Sequence, residues 1–238
     1  MYKRIWYSMI AIGAGLLIPA TLAHADGPDL KDLTAQWWQW ALSIPPAVNP
    51  MLDSTGVNCM VGQRDSVWFL AGGFFGGTAV RNCSVPQGMA LFFPVINSIG
   101  INTPNVCGQI GSLSVSDMRA ANAGFINTAV NMSVQLDGRA VANLRRVQSF
   151  VFPVALPEDN VFDAPCSGAG LGNVPAGIFS PAVDEGFYVL LDPLAAGTHT
   201  LHFHAEAAGG FSTDATYTLN VVPVSVNPSS SRLRSKRS

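Results

Sequence analysis

The sequence predicts a mainly β protein: an antiparallel β-sandwich, of the jelly-roll or immunoglobulin-like kind, with an N-terminal helix and one further short helix. Short runs of β-branched and aromatic residues recur along the chain, and Gly, Pro, Asn and Asp separate them. Strands do not alternate with long helices, which argues against a parallel α/β sheet. Many short strands with regular turns are typical of a sandwich.

Two segments carry helical patterns. Apolar residues recur at intervals of three and four over residues 30–44, and a proline pair that starts at Pro45 ends this first helix. Ser114, followed three residues later by Asp117, resembles a capping box and predicts a second helix that ends near residue 129.

Nine segments carry strand patterns. The dipeptide Asp137-Gly138 separates two of them and predicts a hairpin over residues 132–141. Residues 72–77, 97–111 and 157–181 are rich in Gly, Pro or Asn, and we expect irregular connections there. The predicted strands are residues 67–70, 78–83, 90–95, 132–136, 139–141, 147–156, 187–191, 198–205 and 213–222.

The first 25 residues predict a secretory leader. A basic start precedes an uncharged, largely apolar stretch, which ends in the cleavage site Ala23-His24-Ala25. Pro19 interrupts this stretch, which is shorter than the roughly 20 residues that a spanning helix needs, so we expect no transmembrane anchor. The protein is therefore predicted to be secreted or periplasmic, with a single domain over residues 26–227 and a disordered basic tail over residues 228–238.

The charge of the chain is unevenly distributed. Its formal net charge is −2, but residues 26–227 carry seven Lys and Arg against fifteen Asp and Glu, a net charge of −8. Phosphate binding takes clustered basic side chains. This acidic, sparsely charged body therefore argues against nucleic acid as a partner.

All four cysteines, Cys59, Cys83, Cys107 and Cys166, follow the leader. An even number of cysteines in an exported chain predicts two disulfides, and the sequence allows three pairings. We favour Cys59 with Cys83 and Cys107 with Cys166, because each bond would hold a segment that has little regular structure. Metal binding by these thiols is the weaker alternative, since no two of them have the spacing of a zinc motif.

One strand carries the most suggestive chemistry. His202, His204 and Glu206 alternate along residues 198–206 and would share one face of the strand, with His199 on the other. Two imidazoles and a carboxylate suit a divalent metal. The alternative is that these residues are half-exposed and hydrogen-bonded to their neighbours. The order and spacing do not fit the metal motifs of cupins.

Other catalytic sets are incomplete. The chain has no GxSxG motif. The acid pairs Glu158-Asp159 and Asp184-Glu185 are expected on loops, where adjacent carboxyls do not provide the separation that a glycosidase needs.

Four tryptophans, Trp37, Trp38, Trp40 and Trp68, suggest carbohydrate binding, because aromatic faces stack on sugar rings. Three of them lie in the first predicted helix with the periodicity of a core, which favours a structural role. Trp38 lies off the apolar stripe of this helix. It therefore either stacks on a ligand or is buried under a neighbouring loop.

Four stretches, WWQWALSIPPAVNP, VWFLAGG, RNCSVPQGMALFFPVIN and GTHTLHFHAE, resemble a set of exported bacterial proteins of unknown function. This resemblance covers most of the mature chain and implies export and a shared fold, with no activity. Residues 192–201 and 217–221 also resemble the closing strands of immunoglobulin-like modules, which implies a fold alone.

Three functions are consistent with the sequence. The first is a binding or structural module of the cell envelope or exterior, without catalysis and with a glycan or cell-surface partner. The second is a metal-dependent extracellular enzyme that uses His202 and His204. The third is a carbohydrate-binding protein. We expect either no cofactor or a divalent metal.

Overall fold

Two β-sheets make up most of the protein. They are seen in a computed structural model that describes residues 28–64 and 66–224, so the predicted leader and basic tail lie outside the described residues. The helices are α1 (Leu30–Leu42), α2 (Val115–Ile126) and α3 (Asp163–Gly168). The strands are β1 (Val67–Phe69), β2 (Gly77–Pro86), β3 (Ala90–Ile101), β4 (Val130–Leu136), β5 (Arg139–Ala140), β6 (Arg145–Gln148), β7 (Phe152–Leu156), β8 (Gly177–Leu191), β9 (Gly197–Ala207) and β10 (Phe211–Val222).

Both sheets are mixed. Sheet A has the order β1-β3-β8-β6, with β7 also paired to β8, and sheet B has the order β2-β10-β9-β4-β5. Strands β1 and β3 are parallel, and so are β10 and β2. The expectation of purely antiparallel sheets is therefore wrong for these two pairs. The jelly-roll or immunoglobulin-like type of sandwich stays a prediction.

One apolar core lies between the sheets. Alternate residues of β9 and β10 are buried, as the period of two predicts. Phe93 of β3 stacks on Phe203 of β9, with ring centroids 4.9 Å apart, and Phe203 is near Tyr217 of β10. The contact between Phe93 and Phe203 joins the inner faces of the two sheets.

A second apolar core covers the other face of sheet A. Trp37, Trp38 and Trp40 of α1 are all buried there, together with Phe92 of β3 and Tyr188 of β8. The rings of Phe92 and Tyr188 are stacked 5.3 Å apart. Because β3 and β8 are covered on both faces, nearly every residue of their central parts is buried.

Helix α2 packs on β3 and β8 from the side opposite α1. A Cβ atom on Gly100 would lie 2.7 Å from the Cβ of Met118, so only glycine allows this close approach. Asn122 donates to the backbone oxygen of Val183 at 3.0 Å and accepts from the hydroxyl of Ser98 at 3.0 Å. Helix α2 is thus bonded to both strands.

The main differences from the predicted elements are in length. Strand β8 begins at Gly177, inside the segment 157–181 that was expected to be irregular, and β3 continues to Ile101. Residues 96–101 of β3 pair with residues 182–187 of β8, and residues 177–179 of β8 pair with β7, so hydrogen bonds that a local pattern does not reveal support both extensions. The single strand expected over residues 147–156 is split into β6 and β7, and α3 was not predicted.

No helix of residues 28–64 and 66–224 has the length and apolar character needed to cross a membrane.

Candidate binding site

Three irregular segments meet at one end of the fold, on the α1 side of β3. Asn97, Ile99 and Ile101 alternate along β3 and share this face, whereas Ser98 and Gly100 contact α2 on the other face. The glycine-rich segment 72–77, the segment that follows β3 and the segment around α3 all contribute to the cavities that lie over this face.

The larger cavity, which we call the apolar cavity, has a volume of about 270 Å³. Its walls are mainly aliphatic and aromatic, with a disulfide at one side. It is lined by Ile99, Ile101, Thr103, Val106, Cys107, Gln109, Leu156, Phe162, Cys166 and Val174. None of these side chains carries a charge.

The two polar side chains of the apolar cavity are bonded to each other. The Oε1 atom of Gln109 accepts from the backbone nitrogen and the hydroxyl of Thr103 at 2.9 and 3.0 Å. Its Nε2 atom donates to Oδ1 of Asn102 and to the backbone oxygen of Gly111. A ligand in this cavity would therefore be held by burial of apolar surface.

Both favoured disulfides are present, Cys59–Cys83 and Cys107–Cys166. The second joins the segment after β3 to α3, and both of its cysteines line the apolar cavity. The first joins the loop before β1 to β2, away from the cavity. The Cys107–Cys166 bond therefore fixes the distance between two walls of the cavity.

A smaller cavity of about 70 Å³, which we call the polar chamber, lies nearby. Strand β1 ends at Phe69, and the glycine-rich segment runs past the edge of β3 beyond that point. The chamber is lined by Trp37, Trp38, Met51, Gly72, Gly73, Phe74, Pro94, Val95, Ile96, Asn97, Phe211 and Thr213. Pro94 suits this open edge, because it has no N–H to donate to a neighbouring strand.

Two phenylalanine rings stand between the two cavities. Phe74 lines the polar chamber and Phe162 lines the apolar cavity, and their rings meet edge to face with centroids 5.7 Å apart. Both cavities are therefore lined by residues of β3, and the Phe74 and Phe162 rings separate them.

A buried carboxyl, that of Asp184, lies beneath this site. Asp184 is opposite Ile99 in the β3–β8 pairing and is fully buried. Its Oδ1 atom accepts from Nε1 of Trp38 at 2.6 Å and from the hydroxyl of Tyr188 at 2.7 Å. The Tyr188 oxygen in turn accepts from Nδ2 of Asn97 at 3.1 Å. This network ties α1 to both central strands of sheet A.

The Asp184 carboxyl is held in its neutral form. Burial raises its pKa to about 8, although the hydrogen bonds from Tyr188 and Trp38 oppose the shift. Its Oδ2 atom has no partner among the described residues, and the nearby hydroxyl of Thr34 donates to the backbone oxygen of Lys31 instead. A proton on Oδ2 could be accepted by that hydroxyl.

Another buried ionic side chain, Arg81, holds the glycine-rich segment in place. Its guanidinium donates to the backbone oxygens of Ala71 and Gly72, to that of Asp53 at 2.6 Å, and to the Tyr217 hydroxyl at 2.9 Å. These bonds hold the wall of the polar chamber formed by Gly72 and Gly73.

His202, His204 and Glu206 share the outer face of sheet B, as predicted, whereas Thr213 of the neighbouring strand β10 lines the polar chamber from the inner face. The two imidazoles contact the carboxylate of Asp214 at 3.4 and 3.2 Å, and His204 also contacts Glu206 at 3.2 Å. In residues 28–64 and 66–224, no three His, Cys, Asp or Glu side chains are arranged to hold a metal ion. A metal at these residues stays a prediction.

The tryptophans of α1 are buried, and each indole N–H is used within the protein. Trp37 donates to the backbone oxygen of Leu70 and Trp40 to that of Val61, both at 2.9 Å. Trp38 is only 4% exposed, and its indole donates to Asp184 of sheet A. Stacking of Trp38 on a ligand stays a prediction, since its ring lines the polar chamber.

Sequence reasoning missed three residues of this site: Asn97, Asp184 and Thr213. Asp184-Glu185 was expected on a loop, but both residues lie in β8 and point to opposite faces of sheet A. Glu185 instead accepts from Arg146 and Gln148 of β6. The sequence offers one signal for Asp184, which is an acidic residue within the largely apolar run VDEGFYVLL. A carboxyl inside a buried strand needs hydrogen-bond partners.

Comparison of the chain with protein-family models, with curated proteins and with solved structures gives no match.

Proposed function

We propose that this chain is an exported binding protein for a small, uncharged, mainly apolar molecule, and that the apolar cavity is its binding site. The observation that carries the proposal is the cavity itself. It has about 270 Å³ of space, walls without charge, and polar side chains that are already bonded to each other. Ligand sites in proteins are concave and mostly apolar in the same way.

The size of the cavity suggests the size of the ligand. A cavity of about 150 Å³ lined by aliphatic and aromatic side chains holds benzene, which has six carbon atoms. In proportion, the apolar cavity would hold about ten carbon atoms. Naphthalene is therefore a suitable probe.

The position of the cavity supports binding over a purely structural role. Its floor belongs to β3, which is paired with β8 from Leu91 to Ile101, while most of its walls come from connecting segments. Binding residues are often found on loops that a rigid scaffold positions. The Cys107–Cys166 bond supports export, because disulfides persist in oxidising compartments.

The first test is binding of naphthalene, measured by equilibrium dialysis. We expect the wild-type protein to bind naphthalene and Val106→Trp to bind it at least about tenfold more weakly, because the larger side chain would fill the cavity. Val57→Trp is the matched control, since Val57 is 80% exposed and does not line the cavity. Thermal unfolding of each variant would check that it folds.

Two results would contradict the proposal: no uptake of naphthalene by the wild-type protein, or the same uptake by Val106→Trp as by Val57→Trp. Export is tested separately. N-terminal sequencing of the protein recovered outside the cytoplasm should begin at Asp26, and a chain that retains its first 25 residues would contradict export.

A further inference from the structure

Two connecting segments border the apolar cavity where it reaches the protein surface. One follows β3 and the other follows α3, and the Cys107–Cys166 bond joins the first segment to α3. Cys107 is exposed and also lines the cavity, so the cavity opens to the surface beside this residue. We call residues 102–114 and 169–176 the rim segments.

The rim segments expose aliphatic side chains. Ile110 is 94% exposed, Leu171 is 49% exposed and Leu113 is 41% exposed. Leu171 packs on Gly108, since a Cβ atom on Gly108 would lie 3.1 Å from Cδ1 of Leu171. Ile110 is two residues further along the chain, so its Cα atom lies within about 7 Å of that of Gly108. The rim segments therefore place exposed aliphatic side chains close together, which is typical of a contact surface.

Hydrogen bonds within the rim segments hold these side chains in place. Oδ1 of Asn102 accepts from the backbone nitrogen of Leu113 at 2.9 Å and from Nε2 of Gln109 at 3.1 Å. In the second segment, the backbone nitrogen of Leu171 donates to the backbone oxygen of Cys166 at 2.9 Å. Because these polar groups already have partners within the protein, contact with lipid in place of water would cost them little.

The composition around the opening favours a neutral lipid surface over a protein partner. Residues 97–116 and 164–183 contain no Lys, Arg, Asp or Glu, so no charge would have to leave water. The rim segments contain no aromatic residue, Met or Arg, which are the residues enriched in protein interfaces. An anionic surface would repel residues 26–227, which carry seven Lys and Arg against fifteen Asp and Glu.

We propose that the rim segments dock reversibly on a neutral lipid surface, with Ile110, Leu113 and Leu171 in contact with the acyl chains. This inference rests on the proposed function, because lipid at the opening would give an apolar ligand a direct path into the cavity. The three side chains carry about twelve carbon atoms, fewer than a myristoyl chain, whose association constant with membranes is on the order of 10⁴ M⁻¹. We therefore expect an association constant below about 10⁴ M⁻¹.

The test is flotation of the exported protein with phosphatidylcholine vesicles over a range of lipid concentrations. Ile110→Ser should weaken vesicle binding at least about tenfold, because it removes the most exposed aliphatic side chain of the rim segments. Val57→Ser is the matched control, since Val57 is 80% exposed but lies outside the rim segments, and it should leave vesicle binding unchanged. Without vesicles, Ile110→Ser should bind naphthalene as the wild-type protein does, because Ile110 does not line the cavity.

Several outcomes would overturn the docking surface. One is a wild-type protein that binds no phosphatidylcholine vesicles or binds only anionic ones. Another is an Ile110→Ser variant that floats as well as the wild type, or a Val57→Ser variant that loses as much binding. A wild-type dimer that Ile110→Ser dissociates, seen by analytical ultracentrifugation without vesicle binding, would assign the surface to a second copy of the chain.

The two proposals fail in different ways. A wild-type protein that takes up naphthalene but does not float with vesicles would overturn the docking surface alone. A wild-type protein that floats with vesicles but takes up no naphthalene would overturn the proposed function and leave the docking surface.

Discussion

At the scale of single residues, Asp184 is unusual because its carboxyl is fully buried. A carboxyl that is removed from water favours its neutral form, and Asp184 has two hydrogen-bond donors and no cationic partner within residues 28–64 and 66–224. Its hydrogen bonds join α1, β3 and β8 beneath the binding site. The neutral carboxyl therefore connects these three elements through hydrogen bonds. The chain of hydrogen bonds ends at Asn97, which lines the polar chamber.

The protonation of Asp184 predicts a pH dependence of stability. Its pKa is about 8 in the folded protein against 3.8 in the unfolded chain, so the folded state binds the extra proton between these values. The stabilisation is fully present below about pH 4 and is lost as pH rises through 8. We expect Asp184→Asn to gain stability relative to the wild type over this range, by as much as about 5 kcal/mol.

Urea unfolding of both proteins at several pH values would measure this difference. Asp159→Asn is the control, because Asp159 is exposed and should show no such gain. A constant difference between Asp184→Asn and the wild type from pH 4 to 9 would contradict a neutral Asp184.

At the scale of elements, backbone conformation decides where each turn and helix lies. The hairpin between β4 and β5 turns at Asp137 and Gly138, with φ angles of 51° and 74°, as the Asp-Gly dipeptide predicts. Helix α2 begins after Ser114, whose side chain accepts from the backbone nitrogen of Asp117. Such local signals are readable in the sequence because they depend on one or two residues.

Two exposed glycines should respond in opposite directions to the same change. Gly138→Ala places a Cβ atom at a positive φ and should lower the free energy of unfolding by about 1 kcal/mol. Gly124→Ala lies inside α2 with open space around it and should raise the free energy of unfolding by about 0.5–1 kcal/mol. Denaturant unfolding of both variants checks this, and a loss of stability in Gly124→Ala would contradict the helical environment described for it.

At the scale of the whole molecule, two apolar cores on either side of sheet A hold the layers together, and the disulfides connect segments that are far apart in sequence. Cys107 and Cys166 are 59 residues apart, and Cys59 and Cys83 are 24 apart. Each bond restricts the unfolded chain, and the longer loop is restricted slightly more. Only the Cys107–Cys166 bond also lines the apolar cavity.

Removal of each disulfide should therefore have different consequences. Replacing either pair with serine should cost about 3–4 kcal/mol of stability. The Cys107→Ser, Cys166→Ser double variant should also lose most of its naphthalene binding, whereas the Cys59→Ser, Cys83→Ser variant should retain it. Binding would be measured under conditions in which each variant is folded by circular dichroism. Equal loss of binding in both double variants would contradict the role given to the Cys107–Cys166 bond.

The sequence by itself determined the two main helices, most strands, the hairpin and the alternation of β9 and β10, because these depend on nearby residues and on a fixed period. The tertiary structure alone decided which strands are neighbours, and hence the two parallel pairs, the lengths of β3 and β8 and the union of Asn97, Asp184 and Thr213 at one site. Those features depend on hydrogen bonds and burial between segments that are distant in sequence, 23 residues apart in the β1–β3 pair and 81 or more in the β3–β8 and β2–β10 pairs, and no local pattern encodes such pairing.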